Sequence, residues 1–147
     1  MYTFMKRNAQ YPSLVVFDQA DRNVASVARK ISNTPLQALV MLNDPQYVEA
    51  YRKLSERAIK AGPDKDRQIV DMFRLATRRR PSPKELAVLR TYRTAEEQRL
   101  AKDQKAVDGL LAMGVAPVDP GIDRVQLAAM TMTTAAAMNS PDAYSLR

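Results

Sequence analysis

Ser32-Asn33-Thr34-Pro35-Leu36-Gln37-Ala38-Leu39-Val40-Met41-Leu42-Asn43-Asp44-Pro45 is the stretch whose reading decides the fold. Thr34 offers a side-chain oxygen to a free amide of a first helical turn, and Pro35 stands where a missing N–H costs nothing. Gln37 follows Thr34 by three residues, the spacing at which a side chain reaches back to the cap amide. Leu36, Leu39, Val40 and Leu42 leave almost no polar face, so this short helix is expected to be buried on most sides. Asn43-Asp44-Pro45 then stops it and starts another, because a residue before proline avoids the helical region and Asp44 is a good cap. The stretch therefore predicts two packed helices joined by a tight corner.

Downstream the same signals recur. A second helix runs from about Pro45 to Ala61, with Val48, Tyr51, Leu54 and Ala58 on one face. Glu49–Lys53 and Glu56–Lys60 offer i,i+4 pairs on the other face. Gly62-Pro63 ends this helix, and Asp64 or Asp66 starts a third whose inner face is Ile69, Phe73 and Ala76. Arg78-Arg79-Arg80-Pro81-Ser82-Pro83 is the next corner, with Ser82, Pro83 and Glu85 forming a capping box for a fourth helix. That helix turns polar from Thr94 to Lys105, where Leu100 is isolated, so this part is expected to project or stay partly exposed. Apolar contact resumes at Val107, Leu110 and Leu111. After a Gly/Pro loop over 114–122, Asp123 caps a last helix with Leu127, Met130, Thr131, Thr134, Ala135 and Met138 on one face. Its other faces are Ala and Thr, which suits a helix at the centre of a bundle. Residues 139–147 read as a turn and an extended end.

Upstream, residues 1–32 read as an irregular arm. Tyr2, Phe4 and Tyr11 are its large apolar anchors, and Leu14-Val15-Val16-Phe17 reads as a short strand or buried loop. The fold expected is all-α: an irregular bundle of about five helices over 33–147, with the extended arm 1–32 docked on it.

The chain of 147 residues is long enough for one domain with a real core. It has no cysteine, which excludes disulfides, thiolate metal sites and a covalently attached haem. It also has no histidine, so the commonest general base and the commonest transition-metal ligand are missing together. The net charge of +7 is uneven. Residues 64–105 carry twelve Lys/Arg against seven Asp/Glu, and residues 106–147 two against four. A basic surface attracts nucleic acid, anionic lipid or an acidic partner. Here acids are interspersed on a helical period, the pattern of a solvated helix face. Met1-Tyr2-Thr3-Phe4-Met5-Lys6-Arg7, with its charges after a short apolar run, does not read as a signal peptide. The longest uncharged stretch, Val125–Pro141, is too polar to span a membrane.

Two sets of residues carry the available chemistry. Asp18 and Asp21, with Arg22 beside them, form an acidic pair that could bind a divalent ion or act as acid and base, although such residues more often cap turns. Arg74, Arg78, Arg79, Arg80 and Lys84 surround the third corner and could meet phosphates, as in a helix-turn-helix reader. The turn Pro83-Lys84-Glu85-Leu86 is poorly basic for that role. No phosphate-cradling glycine loop or Ser-x-x-Lys arrangement is present. Met130, Met132 and Met138 read as core filler rather than haem ligands. No cofactor, metal or catalytic constellation is expected in this chain, and no enzyme activity.

Phe17-Asp18-Gln19-Ala20-Asp21-Arg22 and the 32–45 stretch resemble the C-terminal part of planctomycete-specific domain one, a domain of unknown function in large multidomain bacterial proteins. Phe73-Arg74-Leu75-Ala76-Thr77, Arg80-Pro81-Ser82-Pro83-Lys84-Glu85-Leu86 and Leu127-Ala128-Ala129-Met130-Thr131-Met132 extend the similarity over nearly the whole chain. The family often has a cysteine where this chain has Ala25, and arginines at Ala28 and Ile31. The resemblance implies a longer, exported parent with upstream partner domains, often including a c-type cytochrome module. It implies no catalytic residue. The expected role is that of a structural or interaction module, docking on upstream domains or another protein. The alternatives are a basic nucleic-acid-binding module and an accessory part of an envelope hydrolase.

Overall fold

The structure, a computed structural model, describes residues 10–20, 27, 28, 32, 34–140 and 143. Among these residues the chain is all-α, with seven helices and no strand. They are α1 (Pro12–Val16), α2 (Pro35–Asn43), α3 (Pro45–Lys60), α4 (Lys65–Thr77), α5 (Pro83–Leu100), α6 (Gln104–Leu111) and α7 (Arg124–Met138). The backbone divides into two compact units, 1–40 and 41–147.

In the first unit, the stretch expected to be strand or buried loop is instead α1. Pro12 stands at its first position, and none of its residues is buried. The proline supplies a helical φ and lacks only an amide that would be unpaired there anyway. After α1 the chain turns through Asp18, at a φ of 56°. The Asp18 carboxylate accepts from the amide of Ser32 at 2.7 Å and from its hydroxyl at 2.6 Å.

Gln37 and Thr34 form the reciprocal pair that their spacing predicts. The Thr34 amide donates to Gln37 Oε1 at 3.1 Å, and the Gln37 amide to Thr34 Oγ1 at 3.4 Å. The buried Gln37 amide group also donates to the Val16 carbonyl at 2.9 Å and to Ser32 Oγ at 3.0 Å. The burial expected for the α2 leucines is not found: Leu36, Leu39 and Leu42 are 54%, 56% and 41% exposed. The buried line of α2 runs through Gln37 and Met41, one turn apart, which turns the leucines outward. Tyr2, Phe4, Ala25, Ile31 and the tail over 144–147 lie outside the described residues.

In the second unit, α7 is the axis, and α3 and α5 pack on it most extensively. Leu127, Ala128, Ala129, Met130, Thr131, Thr133 and Thr134 are all buried, so the helix is enclosed nearly all round. Its hydroxyls cost little inside, because each donates to a carbonyl one turn back: Thr131 to Leu127, Thr133 to Ala129 and Thr134 to Met130, at 2.8–2.9 Å. Ser55 on α3 meets Thr134 at 2.8 Å. One apolar cluster joins Ala58, Ile69, Met72, Phe73, Leu89 and Met130. Another joins Leu100, Val107, Leu111, Ile122, Leu127 and Ala128, and Ile59 packs against both.

Leu100 corrects the expectation that the polar part of α5 projects, for it is 1% exposed. The helix count rises above five partly for the same reason. Once Leu100 is buried, Asp103 caps a separate α6 through the Ala106 amide at 2.9 Å.

The charges of α3 also depart from the expected i,i+4 pairs. Glu49 accepts from the Val115 amide, and the Val115 and Ala116 amides hold its carboxyl below the usual range. Arg52, 1% exposed, donates to the carbonyls of Ala116 (2.7 Å) and Pro117 (3.3 Å) and to Glu56 (3.3 Å). Lys53 reaches Glu56 at 2.8 Å and the Pro117 carbonyl at 2.6 Å, and Lys60 pairs with Asp119. One face of α3 thus holds the 113–119 loop through its backbone.

Candidate functional site

The opposite end of this charge system lies where α3 meets α4. Arg57, Ala58 and Ala61 come from the end of α3, and Asp71, Arg74, Leu75 and Arg78 from the second half of α4. Together they line an open cleft of about 340 Å³. Ala58 is buried in the apolar core behind the lining, and Leu75 is 48% exposed. Its three arginines make no ion pair among the described residues. Asp71 is reached by Arg67 at 3.7 Å. The wall therefore presents three guanidinium groups against one carboxylate, beside an aliphatic patch.

The α4 terminus sets this geometry. Asp64 caps the helix through the Asp66 amide at 3.0 Å, and Gln68 donates to the Gly62 carbonyl at 2.7 Å, fixing the corner between the helices. At the other end Arg78 closes α4 with φ 63° and ψ 6°, its amide donating to the Arg74 carbonyl at 2.9 Å. That left-handed position usually goes to Gly or Asn, and a side chain there strains the backbone. The carbonyl end of a helix favours the cations placed on it.

The five basic residues singled out by sequence separate into distinct roles. Arg74 and Arg78 share the cleft. Arg79 does not: it makes a two-pronged pair with Glu85 at 2.6 and 2.8 Å and lies 4.9 Å over the Phe73 ring. Arg79 and the Ser82 amide together push the Glu85 carboxyl down to about 2. Arg80 and Lys84 are exposed and lie outside the cleft lining. Of the acidic pair, Asp18 is engaged with Ser32, while Asp21 and Arg22 lie outside the described residues.

Sequence reading missed Arg57. It sits 17 positions before Arg74, and only the crossing of α4 over the end of α3 brings them together. The available signal was a cation on the polar face of α3 without an acidic i±4 neighbour. Bidentate guanidinium geometry suits carboxylate or phosphate oxygens, so binding an anion is the chemistry this wall supports.

A larger open hollow of about 550 Å³ lies between α5 and α7, lined by Lys65, Thr94, Glu97, Gln98, Asp123 and Gln126. Its lysine is engaged with Glu97 at 2.6 Å, which leaves it no unpaired cation. Among the described residues no group of three or more Asp or Glu side chains is placed to hold a metal ion. No described helix is long and apolar enough to cross a membrane.

The family model described as PSD1, protein of unknown function (DUF1553), matches residues 1–93. The match contains the 32–45 stretch and the 80–86 corner, while Leu127–Met132 lies beyond it. No curated protein and no solved structure matches the chain.

Proposed function

The chain belongs to the PSD1 family of unknown function, and on that premise we propose that it is an interaction module of a larger protein, binding an anionic surface through the α3–α4 cleft. One observation carries this reading: Arg57, Arg74 and Arg78 converge on one cleft without carboxylate partners, whereas the other exposed arginines among the described residues, Arg80 excepted, are paired. Arg67, Arg79, Arg90, Arg99 and Arg124 each meet an acid at 2.5–3.7 Å. Unpaired guanidinium groups beside an apolar edge are the composition of a binding surface. Binding rather than catalysis is the role proposed for this chain. The parent is an exported, cytochrome-linked protein, a reading supported by the family membership together with the resemblance described above.

An immunoblot of the native host, with an antibody to this chain and a parallel haem stain, tests the parent. A band well above 16.5 kDa that also stains for haem is expected. A haem-free band near 16.5 kDa overturns the longer parent. Zero-length crosslinking in intact cells tests the module: links from α3 or α4 to another domain or protein are expected, and links confined to the chain itself overturn it.

Nucleic-acid binding draws on the same guanidinium groups. Commitment of Arg79 to Glu85 and the presence of Asp71 in the wall weigh against it.

A further inference from the structure

We infer that the partner of the cleft is an acidic protein segment in which carboxylates flank one aliphatic side chain. This rests on the cleft being an interaction surface, and it adds the chemistry of the occupant. Three features specify it.

The first is charge. Arg57 stands on one side of the cleft and Arg74 and Arg78 on the other, so separate carboxylates satisfy the two walls. The second is the apolar patch. Leu75, 48% exposed, and the small, exposed Ala61 give an aliphatic side chain a place to seat. A phosphodiester backbone has no group for that position. Asp71 in the same wall disfavours a continuous polyanion while leaving room for spaced carboxylates.

The third feature is Arg78 itself. Its left-handed backbone is strained, and glycine would relieve the strain. The strained residue carries a cation into the cleft, a position where strain and binding coincide. Arg78→Gly is therefore expected to do two opposite things. It raises the thermal midpoint, and it weakens the partner.

The test uses the full chain with three fluorescein-labelled probes at low salt: a peptide alternating Glu and Leu, a poly-Glu peptide of equal length, and a DNA duplex. Anisotropy is expected to rank the Glu/Leu peptide about tenfold tighter than poly-Glu, as burial of one aliphatic side chain implies. The duplex is expected to bind more weakly than either. Arg78→Gly should weaken the Glu/Leu peptide about tenfold, the value of one charged hydrogen-bonding pair, while Tm rises.

Equal binding of the two peptides, or tighter binding of the duplex, overturns the occupant named here and leaves the cleft as an anion-binding surface. If Arg57→Ala/Arg74→Ala/Arg78→Ala, shown folded by circular dichroism, binds every probe like the parent chain, the cleft reading falls with it.

Discussion

The two faces of α3 use the same residue types for opposite ends. Toward the 113–119 loop, Glu49, Arg52, Lys53 and Lys60 are all engaged, and Arg52 is buried so completely that its guanidinium serves as a backbone scaffold. Toward α4, Arg57 is exposed and without an ion pair among the described residues. A basic residue that finds carbonyls inside the fold becomes structure, and one that finds none stays available. The difference lies in the opposing chain: a loop that offers Arg52 the Ala116 and Pro117 carbonyls on one side, and a helix that meets Arg57 with side chains on the other.

The largest effect that breaks this comparison is expected at Arg52. Arg52→Ala leaves loop carbonyls unpaired and removes one of two cations from Glu56, at about 3 kcal/mol measured by urea unfolding. A loss below about 1 kcal/mol, the net value of one ordinary hydrogen bond, contradicts the scaffold role.

Gly114→Ala comes next. Gly114 has φ 91°, and a Cβ there runs into the Cβ and carboxylate of Glu49. About 2 kcal/mol is expected, with the double change Glu49→Ala/Gly114→Ala recovering part of it.

Third is the acid limb of stability. Glu85 titrates at about 2 in the fold against an ordinary 4.5, so its share of stability is complete above about 4.5 and disappears as pH falls toward 2. Glu85→Gln should therefore flatten the stability–pH curve in that window. An unchanged acid limb rules out the Arg79–Glu85 clamp as its source.

The smallest effect sharpens the contrast. Arg57→Ala and Arg74→Ala should each change unfolding free energy by no more than about 0.5 kcal/mol. A larger loss makes the cleft arginines structural, like Arg52.

Local chemistry was legible wherever one side chain answers one nearby amide. Asp44, Ser82 and Asp123 each cap the helix that their positions predict, and of Asp64 and Asp66 it is Asp64 that caps α4. The face of α7 was legible too, because Ala and Thr leave no bulky side chain to point at solvent. Leu100 was not: one leucine among charged residues has no periodicity, and its burial depends on Val107 and Leu111 arriving from α6. Charge placement was the least legible. Glu49 and Lys53 have suitable spacing for each other, yet loop amides and carbonyls distant in sequence attract both. The cleft was half legible, as Arg74 and Arg78 belong to one helix and Arg57 to another.

The enclosure of α7 has a consequence for synthesis on the ribosome. The end of α3 leaves the ribosome about 60 residues before the start of α7. At about 5–20 residues per second, the earlier helices wait several seconds for the one they pack around. From their own emergence until α7 follows, Ile69, Met72 and Phe73 lack Met130, their partner in the finished cluster. The nascent chain is then a natural client for holding chaperones, and it completes its core only when its last described helix emerges.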